Sequence, residues 1–168
     1  MNTGQISHAL RTNSVTRPCF RGVFAADAVQ ALEPLPGACV INTEKSGQPG
    51  LHWIAIYQEE PGVVETFDSY GKDFSSYGLD LFNSCRVIRQ TEQLQALTTT
   101  VCGQYCLFFL LRRASGEKYS HIIHLFTQNK ASNDVMVCQY VNHYFDLKTK
   151  VRDDNFLSQV AKTFMELK

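Results

Sequence analysis

Val101 to Cys106 reads V-C-G-Q-Y-C, and residues 107–111 continue the run as L-F-F-L-L. A polar stretch rich in Thr and Gln precedes this segment, and two arginines end it. Its length and apolar character predict a buried helix from Cys102 to Arg113. Two cysteines, four residues apart, stand at the start of that helix. They could be metal ligands, a disulfide, two core residues, or a nucleophile with a packing neighbour.

Strand-like segments lie before this helix, and helix-like segments lie after it. Strands are predicted at 38–42, 51–57, 63–68 and 85–89, and further helices at 119–126, at 133–144 and after Asp153-Asp154. The first three strands are joined by segments rich in turn-forming residues, which predicts an antiparallel meander. Strands followed by helices predict an α+β fold rather than alternating βαβ units. We expect a mostly antiparallel central sheet packed by helices, with Cys102 at the N-terminus of the buried central helix.

Length and composition favour one globular domain over residues 1–168, with residues 1–16 polar and expected to be flexible. The 16 basic residues balance 16 acidic ones, so we do not expect a large surface for nucleic acid or anionic membrane. No apolar stretch approaches the ~20 residues that span a bilayer, and the first residues lack the apolar core of a signal peptide. We therefore expect an intracellular monomer whose six scattered cysteines stay reduced.

Two of the four roles for the cysteine pair fit poorly. The spacing Cys102-x3-Cys106 differs from the C-x2-C knuckle of zinc sites, and no second cysteine pair follows it, although His121 and His124 could add ligands. A disulfide across one helical turn lies near the far limit of the allowed Cα separation, and the Cβ directions do not converge. We expect no metal site, which leaves core packing and nucleophilic chemistry.

A nucleophile fits the first cysteine better than the second. The N-terminus of a helix favours a thiolate through its dipole and free N–H groups, and Cys102 would lie there. Gly103 beside it would let a substrate backbone come close. Cys106 lies one turn deeper in the apolar run, so it should be a packed and inert thiol.

A cysteine hydrolase also needs a base, a residue that orients the base, and donors for the oxyanion. His52 interrupts an otherwise apolar strand, and Asp68 ends the next strand 16 residues later, within reach across a hairpin. Taken alone, a satisfied core histidine and a turn-forming aspartate are the commoner interpretations. The polar run before Cys102 offers Gln90, Gln93 and Gln95 as side-chain donors.

Four features then stand in order along the chain: His52-Trp53, Phe67-Asp68-Ser69-Tyr70-Gly71, Gln95, and Cys102-Gly103-x-Tyr105-Cys106. This order closely resembles the adenovirus endopeptidase (adenain) family of cysteine proteases, in the clan that includes the SUMO and ubiquitin-like-protein proteases. Gln95 lies seven residues before Cys102, as in the adenain branch, whereas Asp68 is the choice of the SUMO proteases. The resemblance covers roughly residues 17–145. Similar proteases occur in DNA viruses and Maverick/Polinton elements.

The resemblance implies a role for each matching residue. Cys102 would be the nucleophile, His52 the general base and Asp68 the residue that orients the imidazole. Gln95 and the Cys102 amide would hold the oxyanion. Trp53 would line a narrow channel that favours glycine before the scissile bond.

The resemblance also implies substrates and partners. The substrate would be a viral precursor or structural protein, cut after Gly in a Gly-Gly or Gly-x site during virion maturation, in the host nucleus or cytoplasm and in the virion. Adenain uses DNA as a cofactor, but the zero net charge gives no reason to expect that here. Adenain is also activated by a viral peptide through a disulfide, and Cys85 is the matching cysteine; a simple edge-strand thiol is the alternative. No cofactor is needed for the chemistry.

Two other functions compete with virion maturation. The same residues would serve a deconjugating protease for ubiquitin-like proteins or a bacterial effector of the same clan. A catalytically dead module that binds a Gly-ended tail is the third reading, and the complete set of His52, Asp68, Gln95 and Cys102 argues against it.

Overall fold

The structure is a computed structural model that describes residues 1–79, 81–145 and 147. Its helices are α1 (Thr3–Thr12), α2 (Cys102–Ala114), α3 (Tyr119–Ile123) and α4 (Lys130–Tyr144), with a 3₁₀ helix at Phe74–Tyr77. Its strands are β1 (Phe20–Phe24), β2 (Gly37–Asn42), β3 (Trp53–Gln58), β4 (Val63–Phe67) and β5 (Arg86–Arg89). The predicted helix after Asp153-Asp154 lies outside the described residues.

The strands form one five-stranded sheet in the order β1-β2-β3-β4-β5. The predicted meander is confirmed, because β2 pairs antiparallel with β3 and β3 pairs antiparallel with β4. Both edges are parallel, however: β1 runs parallel to β2, and β5 runs parallel to β4. The sheet is therefore mixed, and the expectation of a mostly antiparallel sheet was wrong. The long connections 25–36 and 68–85 return the chain to the end at which the previous strand began, which a tight hairpin cannot do.

Helix α2 forms the centre of the core and confirms the helix predicted from the opening segment. Ten of its residues are buried, and it packs on β3 and α4. Side chains alternate across β3: Trp53, Ala55 and Tyr57 join the cluster that contains α2, while Ile54 and Ile56 join a second cluster on the opposite face. Both faces of the sheet are thus covered, which suits the nearly continuous apolar strands of the sequence.

The N-terminal segment differs from the flexible stretch that we expected. Thr3–Thr12 forms α1, and Asn2 caps it by accepting from the backbone N–H of Gln5 while Gln5 returns a bond to the Asn2 N–H. Ile6 and Leu10, one turn apart, are buried against the rest of the core. Three residues of this helix are buried, Ile6, Ala9 and Leu10, and the others are mostly polar. Its composition therefore resembles that of a flexible polar tail.

Among the described residues, no helix is both long and apolar enough to cross a membrane. The fold brings three residues together at the start of α2. They are His52, which precedes β3, Asp68, which follows β4, and Cys102, the first residue of α2.

Candidate active site

Cys102 is the first residue of α2. Val101 is the N-cap residue and makes no side-chain capping bond, so the first-turn N–H groups are left for other partners. Cys102 is 9% exposed, and the neighbouring backbone N–H of Trp53 helps to lower the pKa of its thiol. Burial alone would oppose ionisation, whereas a position at a helix N-terminus favours the thiolate.

His52 and Asp68 meet across the β3–β4 hairpin. His52 directly precedes β3 and Asp68 directly follows β4, and these strands pair through Ala55 and Phe67. His52 Nε2 lies 2.6 Å from Asp68 Oδ1, and both residues are buried. The antiparallel register therefore explains how two residues 16 positions apart become a hydrogen-bonded pair.

The Asp68 carboxylate is held on both of its oxygens. Oδ1 also accepts from the backbone N–H of Tyr70 at 2.9 Å. Oδ2 accepts from the backbone N–H of Lys72 at 3.1 Å and from the hydroxyl of Tyr77 at 2.7 Å. A carboxylate with this many donors is fixed in orientation, so it fixes the imidazole that it contacts.

Two tyrosine rings stack on the imidazole of His52. The Tyr70 ring centroid lies 4.7 Å from that of His52, and the Tyr77 centroid lies 5.6 Å away. Nδ1 of His52 is buried and makes no well-aligned hydrogen bond to the described residues. Since Nε2 is taken by Asp68, Nδ1 is the nitrogen left to exchange a proton with Cys102.

The electrostatics of the three residues support one another. Burial opposes charge on His52, but the hydrogen bond to Asp68 and the nearby Cys102 thiol outweigh it and raise the pKa of His52 to about 9. Burial also opposes ionisation of Cys102, yet the nearby His52 imidazole and its positive charge lower the pKa of that thiol. For Asp68, the bond to His52 likewise overcomes burial and lowers the carboxyl pKa. These shifts favour a thiolate–imidazolium pair over a neutral thiol and a neutral imidazole.

The two cysteines of the opening segment have different environments. Burial raises the pKa of Cys106 well above its usual value, and the residue is 1% exposed in the main core. Cys102, one turn earlier, has a lowered pKa. None of the six cysteines forms a disulfide, and no group of three or more His, Cys, Asp or Glu within the described residues could hold a metal ion.

No protein-family model matches the chain. A cysteine protease of African swine fever virus is 28% identical over 99 residues, covering 51% of this chain and 36% of that protein. The R355 protein of Acanthamoeba polyphaga mimivirus, provisionally named a thiol protease, is 27% identical over 101 residues, covering 51% of this chain and 32% of that protein. The chain is a relative of viral cysteine proteases.

Solved structures support the same relationship at the level of the fold. The crystal structure of the pS273R protease of African swine fever virus matches with a TM-score of 0.57, covering 86% of this chain and 66% of that one at 19% identity. The predicted similarity to viral cysteine proteases of the adenain-like clan is therefore confirmed. The match spans about a third of the length of these relatives, 36% of one and 32% of the other. The catalytic residues and the substrate of this chain stay predictions.

Gln95 lies near the pair of His52 and Asp68, but it is fully buried and already bonded. Its Oε1 accepts from the hydroxyl of Ser69 at 2.7 Å. Its Nε2 lies 2.8 Å from the carbonyl oxygen of Thr99 and 3.4 Å from the hydroxyl of Tyr70. The predicted role as oxyanion donor thus falls on an amide that is held in one orientation by its neighbours.

The other two candidate glutamines have different surroundings. Gln93 donates to the carbonyl oxygen of Gln95 at 2.7 Å. Gln90 donates to the carbonyl oxygen of Asp68 and so supports the turn that carries the carboxylate. Gly71 closes that turn with a φ of 68°, and a side chain there would collide with the backbone carbonyl of Glu92. A glycine is therefore required where the turn meets the segment leading to Gln95.

Trp53 and Gly103 have different neighbours from those expected of an open substrate channel. The indole of Trp53 donates to the carbonyl oxygen of Met1 at 3.1 Å. A Cβ atom on Gly103 would lie 3.0 Å from the Met1 side chain and 3.3 Å from that of Ile6. The N-terminal segment, rather than a substrate backbone, thus occupies the space beside Gly103. A cavity of about 400 Å³ opens next to it, lined in part by Met1, Trp53 and Glu44.

Cys85 lies just before the edge strand β5 and is half-buried. It packs with the second core cluster and lines a cavity of about 330 Å³ that Asp68 and Phe82 also line. A thiol at a sheet edge that lines the same cavity as Asp68 suits a regulatory contact, and it suits a simple packing role equally well. Its function stays a prediction.

Sequence reasoning missed the support around the triad. Tyr70 belongs to the recognised segment, but nothing in the pattern indicated that its ring would cover His52. Tyr77 lies on a 3₁₀ helix inside the long connection to β5, where the sequence carries no periodic signal. Its contact to Asp68 depends on how that connection folds back, and a single sequence does not encode this in a readable way.

Proposed function

We propose that this chain is a cysteine endopeptidase with Cys102 as the nucleophile, His52 as the acid–base residue and Asp68 as the residue that orients it. The observation that carries the proposal is the arrangement of His52 between Asp68 and Cys102. The pKa of the imidazole is raised while that of the thiol is lowered. Opposite shifts on a neighbouring base and thiol are the pattern that a thiol nucleophile needs, and perturbed pKa values cluster at functional sites.

The chemistry follows from this arrangement. The Cys102 thiolate attacks the scissile carbonyl carbon, a C–S bond forms, and the carbonyl electrons move to oxygen. When the intermediate collapses, the C–N bond breaks and the His52 imidazolium gives its Nδ1 proton to the leaving amine. Water then attacks the acyl-enzyme, His52 takes its proton, and the thiolate leaves. Donors from Gln95 and the Cys102 amide would stabilise both oxyanions.

The substrate of this proposal is a viral precursor or structural protein that is cut after Gly during virion maturation. The similarity to viral cysteine proteases supports it, as does Trp53 immediately after the catalytic histidine. The reaction needs no metal or other cofactor, and we propose no requirement for DNA because the net charge is zero. An activating peptide bound through Cys85 is a further part of the proposal.

Deconjugation of a ubiquitin-like protein is the second candidate, and one observation favours it. Another African swine fever virus relative, 27% identical over 99 residues, is named a SUMO-1 cysteine protease. Both candidates need a Gly carbonyl at the scissile bond and the same catalytic residues. They differ in what the enzyme recognises: a short extended segment in one case, and a folded domain before the Gly-Gly tail in the other.

A cleavage panel separates these candidates. The chain and its Cys102→Ala variant would be incubated with Gly-Gly-x peptides from viral structural precursors and with SUMO and ubiquitin fusions, and products would be identified by mass spectrometry. Peptide cleavage that needs Cys102 supports the maturation protease, whereas cleavage confined to the fusions supports the deconjugating protease. Cleavage by neither the apo chain nor the chain mixed with a viral cysteine-containing peptide would contradict both.

A further inference from the structure

Gln95 lies in a short loop, residues 94–99, which we call the Gln95 loop. On one side, the loop is hydrogen-bonded to the turn after Asp68. The backbone N–H groups of Leu94 and Gln95 both donate to the carbonyl oxygen of Ser69, at 2.8 and 3.1 Å. The Ser69 hydroxyl also donates to Gln95 Oε1. This side fixes the oxygen of the Gln95 amide.

Helix α4 holds the opposite side of the loop through two adjacent buried residues. Asn133 donates to the carbonyl oxygen of Leu94 at 3.1 Å. Asp134 Oδ2 accepts from the hydroxyl of Thr99 at 2.8 Å and from the backbone N–H of Ala96 at 3.3 Å. Asn133 is 2% exposed and Asp134 is 1% exposed, so both side chains are largely shielded from water.

A second contact links Asp134 to α2. The hydroxyl of Tyr105 lies 2.8 Å from Asp134 Oδ1 and 3.1 Å from the carbonyl oxygen of Leu94. Tyr105 follows Cys102 by one turn on the same helix. The carboxylate therefore ties the Gln95 loop to the helix that begins with the thiol.

Thr99 connects Asp134 to the amide of Gln95. A hydroxyl has one proton to donate, and the carboxylate of Asp134 is its strongest acceptor here. The Thr99 oxygen is then left to accept from Gln95 Nε2, which lies 3.3 Å away, while the Thr99 carbonyl oxygen accepts at 2.8 Å. One N–H of the amide is thus occupied. The other reaches only the Tyr70 hydroxyl at 3.4 Å, a long bond that a substrate oxygen can replace.

We propose that Asp134 is a positioning residue that acts through Thr99 to hold one N–H of Gln95 toward the reacting carbonyl oxygen, while Asn133 holds the same loop at Leu94. The inference rests on the proposed function, since it gives Gln95 its purpose as an oxyanion donor. The carboxylate touches neither substrate nor thiol. Its effect on the reaction is the orientation of a single amide.

The sharpest substitution is Thr99→Val, which keeps the shape of the side chain and removes its hydroxyl. Asp134→Asn would keep one acceptor and is the conservative companion. Thr16→Val is the control, because the Thr16 hydroxyl donates a buried hydrogen bond to the carbonyl oxygen of Leu10 at 2.7 Å, away from Gln95, whereas Thr99 is half-buried. Both Thr→Val changes remove one hydroxyl hydrogen bond, so Thr16→Val should lower the melting temperature at least as much as Thr99→Val.

The test compares kcat and KM for a Gly-Gly aminomethylcoumarin peptide in wild type, Thr99→Val, Gln95→Ala and the double variant. Loss of an oxyanion donor costs ~10² to 10³ in kcat, so we expect Gln95→Ala to fall in that range and Thr99→Val to lose about tenfold with little change in KM. In the Gln95→Ala background, Thr99→Val should cost less than twofold, because the amide that it positions is gone. Additive losses in the double variant, or an equal loss in Thr16→Val, would overturn the inference.

A second readout keeps the inference separate from the proposed function. The side-chain amide signals of Gln95 can be assigned by NMR from their absence in Gln95→Ala. Thr99→Val should shift them, and Thr16→Val should not. If wild type cleaves no substrate but the signals shift, the proposed function fails and the positioning contact stands. If wild type cleaves but Thr99→Val neither shifts the signals nor lowers kcat, the inference fails alone.

Discussion

Tyr77 donates its hydroxyl to Oδ2 of Asp68 at 2.7 Å, on the carboxylate oxygen opposite the one that contacts His52. The Tyr77 ring also stacks on the imidazole. Tyr77→Phe would keep the ring and remove the hydrogen bond, so the carboxylate would lose one of the donors that fix it. We expect kcat/KM to fall by up to about tenfold, a fraction of what a positioned acid–base group contributes. Steady-state hydrolysis of a Gly-Gly peptide measures this.

Tyr119→Phe is the control for that substitution. The Tyr119 hydroxyl also donates a partly buried hydrogen bond, to the carbonyl oxygen of Thr66 at 2.9 Å, and it makes no bond to His52, Asp68 or Cys102. Each variant should lose ~1 kcal/mol of unfolding free energy for one partly buried hydrogen bond. Equal activity in the two variants would show that Tyr77 supports stability and not the reaction.

The pH dependence of alkylation tests the thiolate–imidazolium pair. The pKa of Cys102 is lowered and that of His52 is raised to about 9, so the thiolate should be present at a lower pH than in a free cysteine. The rate at which iodoacetamide modifies Cys102 should therefore level off at a lower pH than the rate for the cysteines of the unfolded chain. In His52→Ala, burial without the positive charge should raise the pKa of the thiol and slow labelling at pH 7 by at least about tenfold. A wild-type rate that keeps rising in proportion to hydroxide would contradict the pair.

Protein stability should not follow the same pH dependence. Taken alone, the raised pKa of His52 gives stability that is lost as pH rises through about 9. The lowered pKa of Cys102 has the opposite sign, because ionisation then favours the folded state as pH rises. The total number of bound protons is the same for a thiolate with an imidazolium as for a neutral thiol with a neutral imidazole. Unfolding in urea should therefore give a nearly constant free energy from this pair between pH 7 and pH 8.5.

The proximity of His52, Asp68 and Cys102 could be predicted from the sequence because its signals are local and chemical. His52 breaks an apolar strand, Asp68 ends the next one, and the short hairpin between them fixes their register. Cys102 begins a helix whose apolar run is unmistakable. Each of these residues lies at the end of an element, and the ends of strongly patterned elements are readable without knowledge of the tertiary fold.

The features that the sequence did not predict depend on contacts between distant parts of the chain. The parallel pairing of β1 with β2, and of β5 with β4, depends on how the connections 25–36 and 68–85 cross the sheet, and no local sequence pattern indicates that path. The α1 helix carries few apolar residues and is held by contacts to a core that forms elsewhere in the chain. The support of the Gln95 loop by Asp134 joins residues that are 35 or more positions apart.

Replacing each cysteine of the opening segment separates their roles. Cys102→Ala should abolish hydrolysis and leave the melting temperature within a few degrees of wild type. Cys106→Ala should keep activity within about threefold but lose ~1–2 kcal/mol of unfolding free energy, since it leaves a small cavity in a fully packed core. Urea unfolding and peptide hydrolysis on the same preparations measure both. A folded but inactive Cys106→Ala would refute this division of roles.

The order of thiol labelling tests the position of Cys85. Cys85 is half-buried, whereas the other five cysteines are buried. Once Cys102 has reacted as a thiolate, Cys85 should be the next site modified by iodoacetamide, and the remaining cysteines should react only on unfolding. Mass spectrometry of timed digests gives the order, and Cys85→Ser should remove the second label while basal hydrolysis is kept. Modification of Cys19 or Cys39 before Cys85 would mean that the sheet edge is closed, which would remove the opening that a peptide joined at Cys85 requires.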